Sequence, residues 1–158
     1  VSWHCGADID VVWRNAKRAK GLGLHVEVVN LVIPKLNDSE ESIREIIDGH
    51  LSNLGSNAPL HFTRFHPDYK MQNWQTTPVE TLEKAYRMAR SEGLNFVYLG
   101  NVPGHRLENT YCPECEKSLI ERCSFSITRI ELKEESRCPS CGSKIPIILG
   151  PSLPQQAS

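Results

Sequence analysis

The sequence predicts an α/β protein, a parallel sheet with helices packed on it, followed by a small β ribbon organised by four cysteines. Three observations carry that expectation. Over the first hundred residues, stretches of helical periodicity alternate with short β-branched runs in the order α-β-α-β-α-β, the pattern that builds a parallel sheet. Beyond Tyr111 the helical periodicity stops and two Cys-x-x-Cys pairs appear, Cys112/Cys115 and Cys138/Cys141, with 22 residues between them. The composition, 39% hydrophobic and 23% charged, is that of a globular chain.

The elements follow in order. Ile9, Val12, Trp13, Ala16 and Ala19 recur at helical spacing with Arg14, Lys17, Arg18 and Lys20 around them, and Gly21 and Gly23 end that helix. Residues 25–33, from His25 to Ile33, are β-branched and almost continuously apolar, as a strand covered on both faces should be, and Pro34 stops it. The second helix follows Asn37 and Asp38, with Glu41 as a capping-box partner for Asp38 and an inner stripe of Ile43, Ile46, Ile47, Leu51 and Leu54. Residues 60–65 form the next strand. A loop then leads to Thr77-Pro78-Val79-Glu80, which reads as cap, first-turn proline and third-position glutamate of a helix buried through Val79, Leu82, Ala85, Tyr86 and Ala89. Residues 95–99 are the third strand. Ser124 to Leu132 alternates with period two, as a half-exposed antiparallel strand does. The expected division is residues 1–107 for the α/β part, 108–149 for the ribbon and 150–158 for a flexible Pro/Gln/Ser tail.

The cysteine quartet is the most specific chemical signal. In C-x2-C…C-x2-C each pair clamps two corners of a tetrahedron, which suits zinc; rubredoxin-like iron has the same ligand spacing. The segment is otherwise short of large apolar residues, so metal binding and folding should be coupled. A closed shell of four thiolates is structural, with no open position for a substrate. Cys5 and Cys123 stand apart, as small buried or half-buried residues. Clustered, unspread cysteines fit a reducing compartment, so the expected location is the cytoplasm. Between Tyr111 and Gly150 six basic residues face six acidic ones, and the whole chain has 18 basic and 19 acidic residues. That balance argues against a nucleic-acid partner, and no apolar run is long enough for a membrane helix.

In parallel α/β folds ligands bind beyond the carboxyl ends of the strands. Those ends read Asn30 to Asp38, Thr63 to Lys70 and Gly100 to His105, each rich in polar, Gly and Pro residues. Arg64, His66, Tyr69 and Lys70 suit an anionic or adenosine-like ligand. Glu27 and Asn30 interrupt an apolar strand, and a buried polar group is costly unless partnered, so they are expected to face a shared cavity with Arg64 and His66 at its mouth.

These tracts resemble a known family. Residues 25–39, from His25-Val26-Glu27 through Asn30-Leu31-Val32-Ile33-Pro34-Lys35-Leu36-Asn37-Asp38-Ser39, with His61-Phe62-Thr63-Arg64-Phe65-His66-Pro67-Asp68-Tyr69-Lys70-Met71, Tyr98-Leu99-Gly100-Asn101-Val102-Pro103-Gly104-His105 and the Cys-Pro ribbon, are similar to the radical-SAM member of the AmmeMemoRadiSam group, related to pyruvate formate-lyase activating enzymes. The resemblance runs from about Cys5 to Ile147. It implies the C-terminal half of a radical-SAM (partial TIM-type) barrel with parallel strands, followed by a β zinc-ribbon. It implies an activating-type oxidoreductase that binds a [4Fe-4S] cluster and S-adenosylmethionine (SAM), cleaves SAM reductively and abstracts hydrogen from a substrate. Asn30, Ile33, Pro34, Arg64 and His66 would then lie beside the SAM adenosine. Two departures stand out: the Cys-x3-Cys-x2-Cys cluster motif is absent, and Lys35 and Glu116 occupy positions where the family has glycine. The chain is therefore expected to be inactive alone, and to pair through its first strand with the missing N-terminal half of the barrel. The alternative is a non-catalytic metal-ribbon module for protein interaction.

Overall fold

A computed structural model describes residues 6–124 and 126–147. Helix α1 (Ile9–Gly21) is capped by Asp8, whose carboxylate accepts the Asp10 N–H. Its apolar stripe does not reach the sheet: no residue of α1 is buried. It packs instead on helix α2 (Glu40–Leu54). The Trp13 indole sits against Gly49, where a Cβ would come within 2.8 Å of the ring. The cap of α2 is Ser39, whose hydroxyl accepts the Ser42 N–H. Asp38, expected to fill that role, accepts the Lys35 N–H and so closes the preceding turn.

Strands β1 (Val28–Val32), β2 (Leu60–Arg64) and β3 (Val97–Gly100) form a parallel sheet in the order β1-β2-β3, with helix α3 (Val79–Ser91) between the last two in sequence. Val28 pairs with Leu60 and Leu60 with Val97, so even-numbered β1 and β2 residues share a face with odd-numbered residues of β3. That face holds Val32, Leu60, Phe62, Val97 and Leu99, and packs on Ile43 and Ile47 of α2 and Leu82, Ala85 and Ala89 of α3. The opposite face carries Val29, Leu31, His61, Thr63 and Tyr98. No helix covers it. Val29 is 66% exposed and Leu31 42%, which corrects the expectation of a first strand covered on both faces.

Thr77 does not cap α3. It is fully buried, its hydroxyl accepting the Phe65 N–H and donating to the Val32 carbonyl. One side chain thus ties together the carboxyl ends of β1 and β2, a better use of a buried hydroxyl than an exposed helix end.

The ribbon is antiparallel: β4 (Thr110–Tyr111), β5 (Ser118–Cys123) and β6 (Ser126–Ile130), in that order. Its buried centre comprises Cys112, Leu119, Ile120, Cys138 and Ile145, joined by Phe96 from the residue before β3. Tyr98 packs on the same cluster. The two clusters share no residue, but the chain around β3 feeds both: Phe96 and Tyr98 lie with the ribbon, Val97 and Leu99 with the helices. Among the described residues no helix is long and apolar enough to cross a membrane.

Candidate functional site

The four ribbon cysteines converge. The Sγ atoms of Cys112, Cys115, Cys138 and Cys141 all lie within 4.8 Å of one another, with Cys112–Cys141 at 3.5 Å and Cys115–Cys138 at 3.6 Å. A tetrahedral metal–thiolate site with bonds of about 2.3 Å has sulfur–sulfur edges of about 3.8 Å, so the donor set could hold a metal ion with little movement. Cys112 and Cys138 are buried while Cys115 and Cys141 are exposed, so the site has one face in the ribbon core and one towards solvent.

The two knuckles repeat one backbone pattern. The Glu116 N–H donates to the Cys112 carbonyl and the Cys112 N–H to the Lys117 carbonyl; Gly142, Cys138 and Ser143 repeat both bonds. The pattern needs a left-handed residue after the second cysteine. Gly142 meets that need at φ 79°, and Glu116 adopts it at φ 58°. Burial pushes the Cys112 thiol up to about 12, whereas hydrogen bonds from the Ser143 side chain and backbone draw Cys141 down to about 6. Cys141 is thus ready as a thiolate, whereas Cys112 would have to give up its proton to a bound metal. Cys123 is exposed and outside the quartet, contrary to the expectation of burial. Cys5 lies outside the described residues.

The carboxyl ends of the strands also gather, since Val32 is in register with Arg64. The Ile33 N–H donates to Asn37 Oδ1 at 2.7 Å and Asn37 Nδ2 returns to the Leu31 carbonyl at 3.0 Å, bracing the turn at buried Pro34. Lys35 completes this turn with φ 66°. Arg64 Nε donates to the Thr77 carbonyl at 2.9 Å, and Asn101 Nδ2 to the Arg64 carbonyl at 3.2 Å. His66 is exposed beyond them. Ile33, Pro34, Arg64 and His66 therefore share one edge. Asn30 does not join them. It lies mid-strand on the helix-covered face, with its Oδ1 buried and unpartnered. Glu27 and Asn30 were expected to share a cavity, but three residues along a strand reverse the face.

Glu27 belongs to a second cluster, on the uncovered face. Its two carboxylate oxygens take His25 Nε2 at 2.8 Å and His61 Nε2 at 2.9 Å. Burial alone would raise its carboxyl, but those two histidines outweigh it and hold Glu27 below its ordinary value. The His61 ring stacks on Tyr98 with centroids 5.0 Å apart, and the Tyr98 hydroxyl meets Thr110 Oγ1 at 3.0 Å. Arg122, from the ribbon, lies over the Tyr98 ring, 5.6 Å from its centroid. Sequence reading singled out Glu27 but not His61, Tyr98 or Arg122. The period-two parity of β2 and β3 could have found the first two, since His61 and Tyr98 alternate with buried apolar neighbours. Nothing local marks Arg122, because the ribbon brings it there from outside the sheet.

The chain is 50% identical over 146 residues to an uncharacterized protein of Methanocaldococcus jannaschii, a match that covers 92% of this chain and 44% of that protein. The chain thus spans less than half the length of this curated relative. No family model matches it, and no solved structure matches it.

Proposed function

We propose that the chain forms the C-terminal part of a radical-SAM enzyme related to pyruvate formate-lyase activating enzymes, with the four-cysteine ribbon as a structural metal module, zinc favoured over iron. One observation carries the reading: a three-stranded parallel sheet covered by helices on one face only, whose adjacent strand ends bring Ile33, Pro34, Arg64 and His66 to one edge. A parallel sheet with helices on one face only fits a sector of a larger α/β assembly, in which the other face would look inward. The longer relative is consistent with a further portion supplying the remaining strands against the free edge of β1.

The radical cluster does not fit this chain. Such a cluster needs three cysteines and an open iron, whereas the only cysteines gathered among the described residues form a closed quartet. No step through the cluster is assigned here. For SAM, the strand-end residues supply contact surface: the buried Pro34 turn, and the Arg64 and His66 side chains. Free paired thiols suit a reducing compartment, the cytoplasm.

The test uses the full-length relative, reconstituted with iron and sulfide under reducing, oxygen-free conditions, and this chain treated alike. The relative should release 5′-deoxyadenosine from SAM and the chain alone should not. A silent relative, or an active isolated chain, defeats the proposal. A second reading, a non-catalytic interaction module, is favoured by the outward apolar residues of β6, Ile127 at 56% and Ile130 at 47% exposure; a silent relative would leave it standing.

A further inference from the structure

The uncovered sheet face meets the ribbon across two clefts, of about 430 Å³ and 360 Å³, which share Glu27, Tyr98 and Arg122. Arg122 is a residue of β5, so the ribbon delivers it to the sheet. Its backbone N–H donates to Asn109 Oδ1 at 2.8 Å. Its Nη1 donates to the Glu108 carbonyl at 3.2 Å and to Thr110 Oγ1 at 2.8 Å, with the guanidinium over the Tyr98 ring. These bonds use one terminal nitrogen. The Nε and Nη2 edge has no hydrogen bond, and Arg122 makes no ion pair among the described residues. The contrast with Arg129 on the same hairpin is direct, since that residue pairs with both Glu121 and Glu131. A half-buried guanidinium held rigidly, with its two-pronged edge unspent beside a cleft, is built to receive an anion.

We propose that Arg122 is the anion receptor of this cleft and that its ligand is a small organic monocarboxylate with a flat, unsaturated body. His61 and Tyr98, stacked on one another, give the cleft an aromatic wall. Gly100 keeps the Thr63 hydroxyl beside it, since a Cβ at position 100 would lie 2.7 Å from Thr63 Oγ1. Charge decides between carboxylate and phosphate. Glu27 and Glu108 line the same cleft, the first paired with His25 and His61 and the second accepting the Gly104 N–H, so a monoanion meets less repulsion there than a near-dianionic phosphate. The ribbon metal gains a purpose beyond stability: Thr110 lies two residues before ligand Cys112 and braces both Arg122 and Tyr98.

As the substrate-side cleft of the proposed enzyme, this deepens that reading, yet binding is a property of this chain and needs neither SAM nor a cluster. The experiment follows the arginine Nε–Hε resonances of the 15N-labelled, zinc-loaded 158-residue chain during titration with sodium benzoate, sodium phenylphosphate, benzamide or sodium chloride. Benzoate should move the Arg122 resonance saturably, phenylphosphate should bind about tenfold more weakly, and benzamide and chloride should leave it in place. Arg122→Lys, which keeps the charge and loses the fork, should weaken benzoate about fivefold or more; Arg122→Gln should abolish the response of the Tyr98 amide. A benzoate response no different from chloride, phenylphosphate binding as tightly as benzoate, or unchanged binding in Arg122→Lys overturns the proposal. Benzoate binding together with a relative that does not cleave SAM would keep this site and end the radical-SAM reading; the converse would end only the role of Arg122.

Discussion

The helix-covered sheet and the cysteine ribbon are stabilised by different means. Among the described residues the sheet and its helices bury thirteen apolar side chains in one cluster, Phe62, Leu60, Ile47 and Leu82 among them. The ribbon cluster has six, of which two are cysteines and one, Phe96, is borrowed from the edge of the sheet. Burying a large apolar side chain is worth about 1.5–3 kcal/mol, so the first region can fold on its core. The second cannot. Every described residue of β6 is exposed, and four cysteine Sγ atoms converge at the centre of the ribbon. The difference teaches that a region with so small a core has, in its four converging cysteines, a donor set through which a metal could supply the missing stability.

The sharpest way to break the comparison is to disable the proposed metal site. Cys138→Ser, or chelation, should unfold the ribbon completely, because structural zinc sites contribute about 10 kcal/mol or more to such domains. Far-ultraviolet circular dichroism should keep most of its helical signal, since α2 and α3 pack on the sheet. Amide spectra should nevertheless show Phe96 and Tyr98 perturbed, because they pack on the ribbon cluster. The converse cut, Phe62→Ala, should cost about 3–5 kcal/mol and release the helices. Wholesale loss of helix in Cys138→Ser would mean the two regions are one folding unit.

A smaller effect probes the helix-covered side. His50 is fully buried on α2, with neither ring nitrogen hydrogen-bonded, and burial holds its imidazole below the ordinary value. The unfolded chain therefore takes up a proton that the folded chain refuses. Its contribution is intact above about pH 6.5 and falls as the pH drops below it, by at most about 1.4 kcal/mol per unit. Urea midpoints at pH 7.5 and 5.5 should separate for the wild type and draw together in His50→Leu. Equal separation in both would assign the pH dependence elsewhere.

The smallest effect samples both regions at once. Lys35 in the β1 turn and Glu116 in the first knuckle hold left-handed backbone at φ 66° and 58°, which costs a residue with a Cβ about 1 kcal/mol relative to glycine. Lys35→Gly and Glu116→Gly should each stabilise by roughly 0.5–1 kcal/mol after the greater freedom of unfolded glycine is counted. Lys35→Gly would raise the denaturant midpoint. Glu116→Gly would slow loss of metal to a competing chelator. A decrease in either would show that the side chain at that position contributes more than its backbone strain removes.

The helix and strand order could be read locally because hydrophobic period depends only on which face each element buries. The clustering of the four cysteines could be read because Cys-Pro-x-Cys knuckles place their sulfurs by backbone geometry alone. Other features required the third dimension. Asp38 yielded the α2 cap to Ser39 because its carboxylate reaches the Lys35 N–H. Thr77 became a tie between Val32 and Phe65, 45 and 12 residues away, a pairing no short window contains. Asn30 and Glu27 fell on opposite faces once the register of β1 was set. The length and composition of the first strand suggested burial on both sides, but only the placement of α2 and α3 decided which face stayed bare. Arg122 shows the limit most clearly. The cleft to which it belongs exists only after the ribbon folds against the sheet, because its walls come from segments separated by about a hundred residues. Period and spacing act within one element; a cleft is a property of how elements meet.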